Sequence, residues 1–327
     1  MRATLTATFG FAKTGLYTPR ASEHVGEVAL VDIGVPAAVA PAEAPSAWLV
    51  TAPDARAAIR RQRRQAGAHK NANGHVLIVG GSPGKTGAPQ LSAHGALRAG
   101  AGLLTVASWA SSFAELHALP MSAMRSVLDP ETLAGLLPKM RAVVAGPGLG
   151  TGEEAARIFE QLVAGDYEGP LVLDADAFTW AAKQPERLQR KGPTVLTPHP
   201  AELARVLGRE TRDIESDRLA AAHDAAARTG AVVILKGAHT VVAAPERTAI
   251  VSPLAVPALG VAGSGDTLAG IVGALLAAGH EAEEAAWLGV WLHAEAARTV
   301  AARRSGTDRG LAPNELADGL PDLFARE

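Results

Sequence analysis

The residues with the clearest chemical meaning form the turn Ala262-Gly263-Ser264-Gly265-Asp266, which runs directly into a long apolar helical pattern. Glycines leave backbone N–H groups open to an anion, and a helix N-terminus favours negative charge. Asp266 would repel a phosphate in such a turn. Its presence is explained if it takes a proton from a hydroxyl while the amides stabilise a transferring phosphoryl group. The alternative is that Asp266 only caps the helix.

A lysine at the end of another apolar run could serve the same reaction. Lys236 follows the run at 231–235 and precedes Gly237-Ala238-His239-Thr240. Burying an ammonium group is costly unless it meets an anion, and phosphate is the natural candidate here. The alternative is that Lys236 extends its charged end into solvent.

A histidine between two prolines provides a third candidate. Pro198 and Pro200 hold the backbone around His199 extended and so restrict where the imidazole points. Glu202 falls in the first turn of the helix that follows. A single histidine is often structural, but its place in a loop after a strand favours a functional role.

Two glycine-rich turns and one acidic pair remain. The turn at 80–87, GGSPGKTG, contains G-K-T, but a phosphate-binding loop of the G-x-x-x-x-G-K-T type would need glycine where Val79 stands. This turn and the turn at 146–150, GPGLG, could present amides to an anion or be simple turns. Asp174 and Asp176 could hold Mg²⁺ through water, contact ribose hydroxyls, or cap the next helix.

The elements that must position these residues follow a regular alternation. Short apolar, β-branched runs are typical of strands buried on both faces of a parallel sheet. Their alternation with helical patterns predicts a doubly wound α/β fold with a mostly parallel sheet flanked by helices. All the clusters follow strands, at the edge where such sheets bind ligands. The runs lie at 76–80, 103–108, 142–146, 170–176, 194–200 and 231–237, and the chain is mainly helical after 265.

Composition sets the broader limits. The 327 residues are 48% hydrophobic and 20% charged, with a net charge of −2 and no cysteine. This excludes a disordered chain, a disulfide framework and a thiolate metal site. The net charge of −2 also gives no excess of positive charge of the kind that binds nucleic acid. No uncharged apolar run reaches the roughly 18–20 residues that cross a bilayer, and the N-terminus lacks a secretory apolar region. We therefore expect a cytoplasmic protein with neither a nucleic-acid nor a membrane partner.

The G-S-G-D turn, late in an α/β chain and followed by an Ala/Leu helix, resembles the ribokinase-like superfamily. The wider set of motifs resembles the ADP-dependent NAD(P)H-hydrate dehydratase family within it, over about residues 69–300. The segments that carry the resemblance are GGSPGKTGAPQLSAHGALRAGAGLLTV (80–106), AGPGLGTG (145–152), LDADAF (173–178), LTPHPAELARVLG (196–208), LKGAHTVV (235–242) and AGSGDTLAGIVGALLAAG (262–279).

The resemblance implies an activity in nucleotide repair. Such enzymes phosphorylate the ring hydroxyl of the S form of hydrated NADH or NADPH and then eliminate phosphate, releasing AMP when ADP is the donor. Bacterial members use ADP and eukaryotic members use ATP, with Mg²⁺. By similarity, Asp266 is the catalytic residue. The implied contacts to the hydrated dinucleotide are Ala88, Gly148, Gly150, His199, Glu202 and Asp266, and those to the nucleotide are Lys236, Gly237, Ala238, His239, Thr240, Gly263, Ser264 and Gly265. The alternatives are a small-alcohol (vitamin) kinase and a nucleotide sensor without turnover.

The first 40 residues carry a second resemblance. LTATFG and VGEVALVDIGVP predict two short strands, and residues 37–55 are rich in Ala and Pro like a linker. The segment resembles the last part of the NAD(P)H-hydrate epimerase domain that precedes the dehydratase in many bacterial members. We therefore expect an epimerase remnant plus linker at 1–45, a dehydratase domain at 55–327 and no epimerase activity. The family resemblance also implies a homo-oligomer, a tetramer, in which the helix near 284–302 could serve an interface or the core.

Overall fold

A computed structural model describes residues 2–36, 46–61, 74–304 and 306–325. The strands are Leu5–Phe9 (β1), Glu27–Val31 (β2), Ala47–Leu49 (β3), His75–Val79 (β4), Leu103–Ser108 (β5), Met124–Val127 (β6), Ala142–Ala145 (β7), Leu171–Leu173 (β8), Thr194–Leu196 (β9), Val232–Leu235 (β10), Val241–Ala243 (β11) and Ala249–Val251 (β12). The helices are Pro19–Ser22 (α1), Ala52–Arg61 (α2), Gly87–Arg98 (α3), Pro130–Leu136 (α4), Glu153–Ala164 (α5), Phe178–Ala181 (α6), Pro200–Leu207 (α7), Thr211–Ser216 (α8), Arg218–Thr229 (α9), Ser264–Ala277 (α10), Ala282–Arg303 (α11), Pro313–Leu316 (α12) and Leu320–Ala325 (α13).

The large sheet has the strand order β3-β12-β11-β10-β9-β8-β7-β4-β5-β6. All its paired strands are parallel except that β11 runs antiparallel to both β10 and β12. From β4 the chain proceeds to β5 and β6 on one side and then to β7, β8, β9 and β10 on the other. The predicted doubly wound, mostly parallel sheet is therefore confirmed, and its direction of winding reverses between β4 and β7.

The predicted burial on both faces is also confirmed. Along β4, Leu77 and Val79 belong to one hydrophobic layer, while Val76 and Ile78 belong to the other. All four side chains are fully buried. Since successive side chains of a strand point to opposite faces, a strand covered by helices on both sides must be apolar throughout.

The C-terminal part is helical as predicted. The apolar segment near 284–302 lies within α11, where Leu288, Leu292 and Ala296 are fully buried in the core. These residues therefore serve the core rather than an intersubunit surface. No helix in the described part of the chain combines the length and hydropathy needed to cross a membrane.

Helices α3 and α10 lie in backbone contact. A Cβ added at Gly95 of α3 would overlap the carbonyl oxygen of Thr267, and one added at Gly270 of α10 would overlap that of Ser92. The Ser92 hydroxyl donates a hydrogen bond of 2.8 Å to the Asp266 carbonyl. The absence of side chains at the two glycines thus lets the helix that carries Asp266 pack directly on α3.

The N-terminal region forms the two predicted strands, which pair in parallel with Leu5 opposite Glu27. The linker prediction for 37–55 is wrong for its last part, because Ala47–Leu49 forms an edge strand parallel to β12 and α2 begins at Ala52. A three-residue strand receives its backbone partners from the sheet, so composition alone does not reveal it. Residues 37–45 lie outside the described part of the chain.

Candidate active site

The predicted clusters meet at the carboxyl edge of the large sheet. The two glycine-rich turns follow β4 and β7 and are hydrogen-bonded to each other. The Gly81 amide donates to the Pro147 carbonyl (3.0 Å), and the Ser82 amide donates to the Gly148 carbonyl (2.5 Å). This pairing lies where the winding of the sheet reverses, which is the usual ligand position in such folds.

Asp176 holds the second glycine-rich turn in place. Its Oδ2 accepts hydrogen bonds from the Gly150 amide (2.8 Å) and from Lys85 Nζ (3.1 Å). Gly148 is buried beside the Lys85 backbone, and Ala88 lies half-buried at the start of α3. Three of the predicted substrate-binding residues, Ala88, Gly148 and Gly150, are thus gathered around one pair of turns.

A buried ion pair lies at the ends of β8 and β10. Lys236 Nζ donates to Asp174 Oδ1 at 2.8 Å, and Thr197 Oγ1 donates to the same oxygen at 2.7 Å. Burial opposes the charge of the ammonium group, but Asp174, Glu202 and Asp266 outweigh this effect and raise the pKa of Lys236. Lys236 therefore carries a positive charge at neutral pH and is available to an anion at this edge.

His199 and Glu202 form a reciprocal cap at the start of α7. His199 Nδ1 accepts from the Ala201 amide (3.1 Å) and the Glu202 amide (3.3 Å), while Glu202 Oε2 accepts from the His199 amide (2.8 Å). Because Nδ1 is an acceptor, the hydrogen of the neutral ring is on Nε2. Burial and the nearby Lys236 lower the pKa of His199, which keeps the ring neutral. Nε2 lies 3.4 Å from Glu202 Oε1, and the His199 side chain is 51% exposed, so the ring remains accessible to a ligand.

Asp266 lies in the first turn of α10, and the pKa of its carboxyl is raised. Burial raises the pKa of its carboxyl to about 7, the Asp174 charge adds to the increase, and Lys236 partly offsets it. A Cβ added at Gly265 would lie 3.1 Å from Lys236 Nζ, so the lysine lies against the glycine turn. A carboxylate with a pKa near neutrality, next to a cation, is suited to take a proton from a hydroxyl.

A cavity of about 490 Å³ opens beside this group, within the range of small-molecule sites. Of the predicted nucleotide-binding residues, it is lined by Lys236, Gly237, Ala238, Thr240, Ser264 and Gly265. The other two residues lie next to the lining. Gly263 caps α10 with a φ of 93°, and His239 is buried, with its Nδ1 donating to the Ser252 carbonyl at 3.2 Å.

Ser264 shapes the turn as well as lining the cavity. Its amide donates to the Val261 carbonyl (3.2 Å) and its hydroxyl donates to the Leu259 carbonyl (2.7 Å). These bonds use both of the Ser264 donors inside the protein. The Gly265 amide is therefore the better candidate for contact with an anion.

Two residues near the cavity escaped sequence reasoning. Arg218 of α9 is 6% exposed and donates to the carbonyls of Leu235 (2.9 Å) and Lys236 (3.0 Å), which supports the loop after β10 from behind. His293 of α11 lines the cavity, and its buried Nε2 has no hydrogen-bond partner. Burial lowers the pKa of His293 to about 4. The only signal for His293 in the sequence is a histidine within the apolar run WLGVWLHAEAA.

The predicted metal candidates are already engaged by protein groups. Asp174 accepts from Lys236 and Thr197, and Asp176 accepts from Lys85 and Gly150. Within the ranges that the structure describes, no group of three His, Cys, Asp or Glu side chains could hold a metal ion. At this edge of the sheet, a metal ion could therefore be bound by one or two carboxylates, but not by a complete set of protein ligands.

The geometry agrees with comparisons to known proteins. A family model, Carb_kinase, described as NAD(P)H-hydrate dehydratase, matches residues 76–322. The chain belongs to the NAD(P)H-hydrate dehydratase family. The match begins in β4 and ends in α13, so it includes Lys236, Asp266 and both glycine-rich turns.

The relatives of this chain include a dehydratase and a longer, bifunctional repair enzyme. The ADP-dependent (S)-NAD(P)H-hydrate dehydratase of Neisseria meningitidis is 38% identical over 258 residues, covering 76% of this chain and 84% of that protein. The bifunctional NAD(P)H-hydrate repair enzyme Nnr of Moorella thermoacetica is 37% identical over 334 residues, covering 98% of this chain. The chain spans 62% of the length of that bifunctional relative.

A solved structure of the family has the same fold. The ADP/ATP-dependent NAD(P)H-hydrate dehydratase of Bacillus subtilis, co-crystallised with ATP/Mg²⁺, superimposes with a TM-score of 0.76 at 28% identity. The match covers 86% of this chain and 99% of the Bacillus protein. A ribokinase-like superfamily protein of Enterococcus faecalis also superimposes, with a TM-score of 0.75 at 23% identity over 88% of this chain and 98% of that protein. The ribokinase-like fold expected from the G-S-G-D turn is thereby confirmed.

Proposed function

We propose that this chain is an ADP-dependent NAD(P)H-hydrate dehydratase that converts the S form of hydrated NADH or NADPH to NADH or NADPH. The observation that carries the proposal is Asp266, a carboxyl with a pKa of about 7 at the N-terminus of α10 beside Lys236. Family membership and the Neisseria relative support the choice of substrate. The overall reaction is hydrated NAD(P)H plus ADP giving NAD(P)H, AMP, phosphate and a proton.

Asp266 acts in the first step as the base. Its carboxylate takes the proton of the ring hydroxyl while the hydroxyl oxygen attacks the terminal phosphorus of ADP. The bond between that phosphorus and the bridging oxygen breaks, and AMP leaves with the bond electrons. Lys236 and the amide of Gly265 stabilise the charge on the transferring phosphoryl group.

The second step is elimination from the phosphorylated ring. The carbon–oxygen bond breaks, and phosphate leaves with the bond electrons. The neighbouring ring carbon loses a proton, which the departing phosphate takes up, and the ring double bond forms again. The proton that Asp266 took in the first step is then released to solvent. Hydroxide is a poor leaving group and phosphate is a good one. A kinase-type site can therefore complete a dehydration.

The two sides of the site have separate roles in this proposal. The paired turns and the start of α7 bind the hydrated dinucleotide through Ala88, Gly148, Gly150, His199 and Glu202, with Asp266 at the ring hydroxyl. The cavity side binds the adenine nucleotide through Lys236, Gly237, Ala238, His239, Thr240, Gly263, Ser264 and Gly265. Since Lys236 and Asp266 lie between the two groups, the donor phosphate and the acceptor hydroxyl meet there.

We infer that Mg²⁺ enters with the nucleotide. Mg²⁺ is usually bound through substrate phosphates and one or two carboxylates, which fits a site without a complete protein shell. Asp174 and Asp176 are the carboxylates that would contact it through water, and the ion would reduce the negative charge of the phosphates. ADP is the proposed donor, with ATP as the alternative.

The experiment follows the recovery of NADH absorbance from its hydrated form. The S and R epimers are incubated separately with Mg²⁺ and with ADP or ATP, and the Asp266→Asn variant is the matched control. We expect recovery from the S form with ADP, release of AMP and phosphate, and no recovery with the variant or from the R form. Absence of recovery together with a stable phosphorylated vitamin alcohol would instead identify a small-alcohol kinase.

We also propose the organisation of the chain and its assembly. The N-terminal unit, residues 2–36, derives from the end of an epimerase domain, and the dehydratase domain begins at β3 rather than at residue 55. A homotetramer working in the cytoplasm is the proposed assembly. Light scattering on the purified chain would measure the assembly mass directly.

A further inference from the structure

The N-terminal unit contacts the nucleotide side of the site through Tyr17. The Tyr17 ring meets the His239 imidazole edge to face, with centroids 5.6 Å apart and planes at 90°. Tyr17 also packs against the main hydrophobic layer of the large sheet, and burial raises the pKa of its hydroxyl. The unit is therefore docked on the dehydratase domain at the loop after β10.

A second residue of the unit lies at the cavity itself. Ser22, the last residue of α1, lines the cavity together with Lys236, Gly237 and Gly265. Its hydroxyl donates to the Pro19 carbonyl at 2.7 Å, within the same helical turn. The Thr18 side chain caps this turn by accepting from the Ala21 amide at 3.1 Å. The cavity wall thus includes a capped turn from the N-terminal unit.

The residue that Tyr17 contacts occupies a demanding backbone position. His239 has a φ of 54°, in the left-handed region, and its side chain is 6% exposed. Its neighbours Ala238 and Thr240 both line the cavity. Packing of Tyr17 and the bond to Ser252 hold His239, and with it the loop, in this conformation.

We propose that the N-terminal unit is a working part of the nucleotide site, with Tyr17 as a positioning residue for the loop Lys236–Thr240 and Ser22 as part of the cavity wall. The ligand is a nucleoside diphosphate, so this proposal rests on the assignment of the cavity under Proposed function. Without Tyr17, the loop would become ordered only when the nucleotide binds, and this ordering would lower the affinity for the nucleotide.

The test is direct ADP binding by calorimetry on the full chain, which needs no turnover. Tyr17→Ala should weaken ADP binding about 3- to 10-fold, the effect expected for losing an edge-to-face aromatic contact, and Tyr17→Phe should restore it. Phe11→Ala is the matched control, because Phe11 lies in the same unit and is 45% exposed. In kinetics, Tyr17→Ala should raise KM for ADP while leaving KM for hydrated NADH and kcat at saturating ADP unchanged.

Ser22 provides a second variant that does not depend on Tyr17 packing. Ser22→Trp places a large ring at the cavity wall and should weaken ADP binding, whereas Ser22→Ala should not. The inference would be overturned if Tyr17→Ala and Ser22→Trp both kept wild-type ADP affinity. It would also be overturned if Phe11→Ala lost as much affinity as they do, or if the wild-type chain did not bind ADP. ADP binding that depends on Tyr17 without dehydration of hydrated NADH would refute the proposed function and leave this inference standing.

Discussion

Replacing Asp266 with asparagine should remove activity and at the same time stabilise the protein at alkaline pH. Asparagine keeps the shape of the side chain but can neither ionise nor take a proton. Turnover of hydrated NADH should therefore be lost, while ADP binding stays nearly intact because the amides and Lys236 remain. The stability gain follows from the cost of an ionised carboxylate at this position.

The size of the gain follows from the pKa. The Asp266 carboxyl has a pKa raised from its ordinary value of 3.8 to about 7. One pH unit corresponds to about 1.4 kcal/mol, so full ionisation in the folded state costs about 4 kcal/mol. Between these two pKa values the folded chain binds more protons than the unfolded chain, so stability falls as pH rises through this window. Linkage places about 2 to 3 kcal/mol of this loss between pH 5 and pH 8.

The assay compares urea unfolding of wild type and Asp266→Asn at pH 5 and pH 8. Other titrating groups are shared, so they cancel in the difference between the two proteins. We expect the variant's advantage in unfolding free energy to grow by about 2 to 3 kcal/mol from pH 5 to pH 8. A constant difference, or a variant that is less stable at pH 8, would refute the buried-carboxyl argument. In the wild type, kcat/KM should fall as pH drops below about 7, because the base becomes protonated.

Three further variants probe the surroundings of the reacting groups. His293→Leu removes a buried nitrogen without a partner, so stability should rise by about 1 kcal/mol while calorimetry shows several-fold weaker ADP binding. Gly148→Ala forces a side chain onto a φ of 59° beside the Lys85 backbone, so KM for hydrated NADH should rise while ADP affinity is unchanged. Arg218→Met removes the donor to the carbonyls of Leu235, at the end of β10, and of Lys236, in the loop that follows. It should lower the free energy of unfolding in urea by about 2 kcal/mol and weaken ADP binding, with the exposed Arg212→Met as control.

The fold could be predicted where the sequence pattern of a strand reflects its surroundings in the folded protein. The strand Ala142–Ala145 is apolar throughout because helices cover both faces of the sheet, and the glycine-rich turn at 146–150 marks its end. The strands β3, β6, β11 and β12 were missed, since each is short and is defined by its partners in the sheet rather than by its own composition.

Local sequence suggested the individual candidate residues, but it did not predict the contacts between them. Lys236 and Asp174 each ended a predicted strand, yet their pairing across 62 residues depends on β8 and β10 both flanking β9. Arg218 and His293 lie in helices without a motif, so only the tertiary contacts reveal them. The raised pKa of Asp266 likewise arises from burial and from neighbouring charges, which the local sequence does not reveal.

The backbone contact between α3 and α10 determines how the site can move. With glycine at Gly95 and Gly270 facing carbonyl oxygens, neither helix has room to slide toward the other. The separation between Ala88 at the start of α3 and Asp266 at the start of α10 is therefore set before any ligand arrives. Preset spacing of this kind reduces the entropy lost when reactants are brought together. Adaptation to a differently shaped substrate would therefore have to come from the turns, whereas the helices set a fixed separation for the reaction.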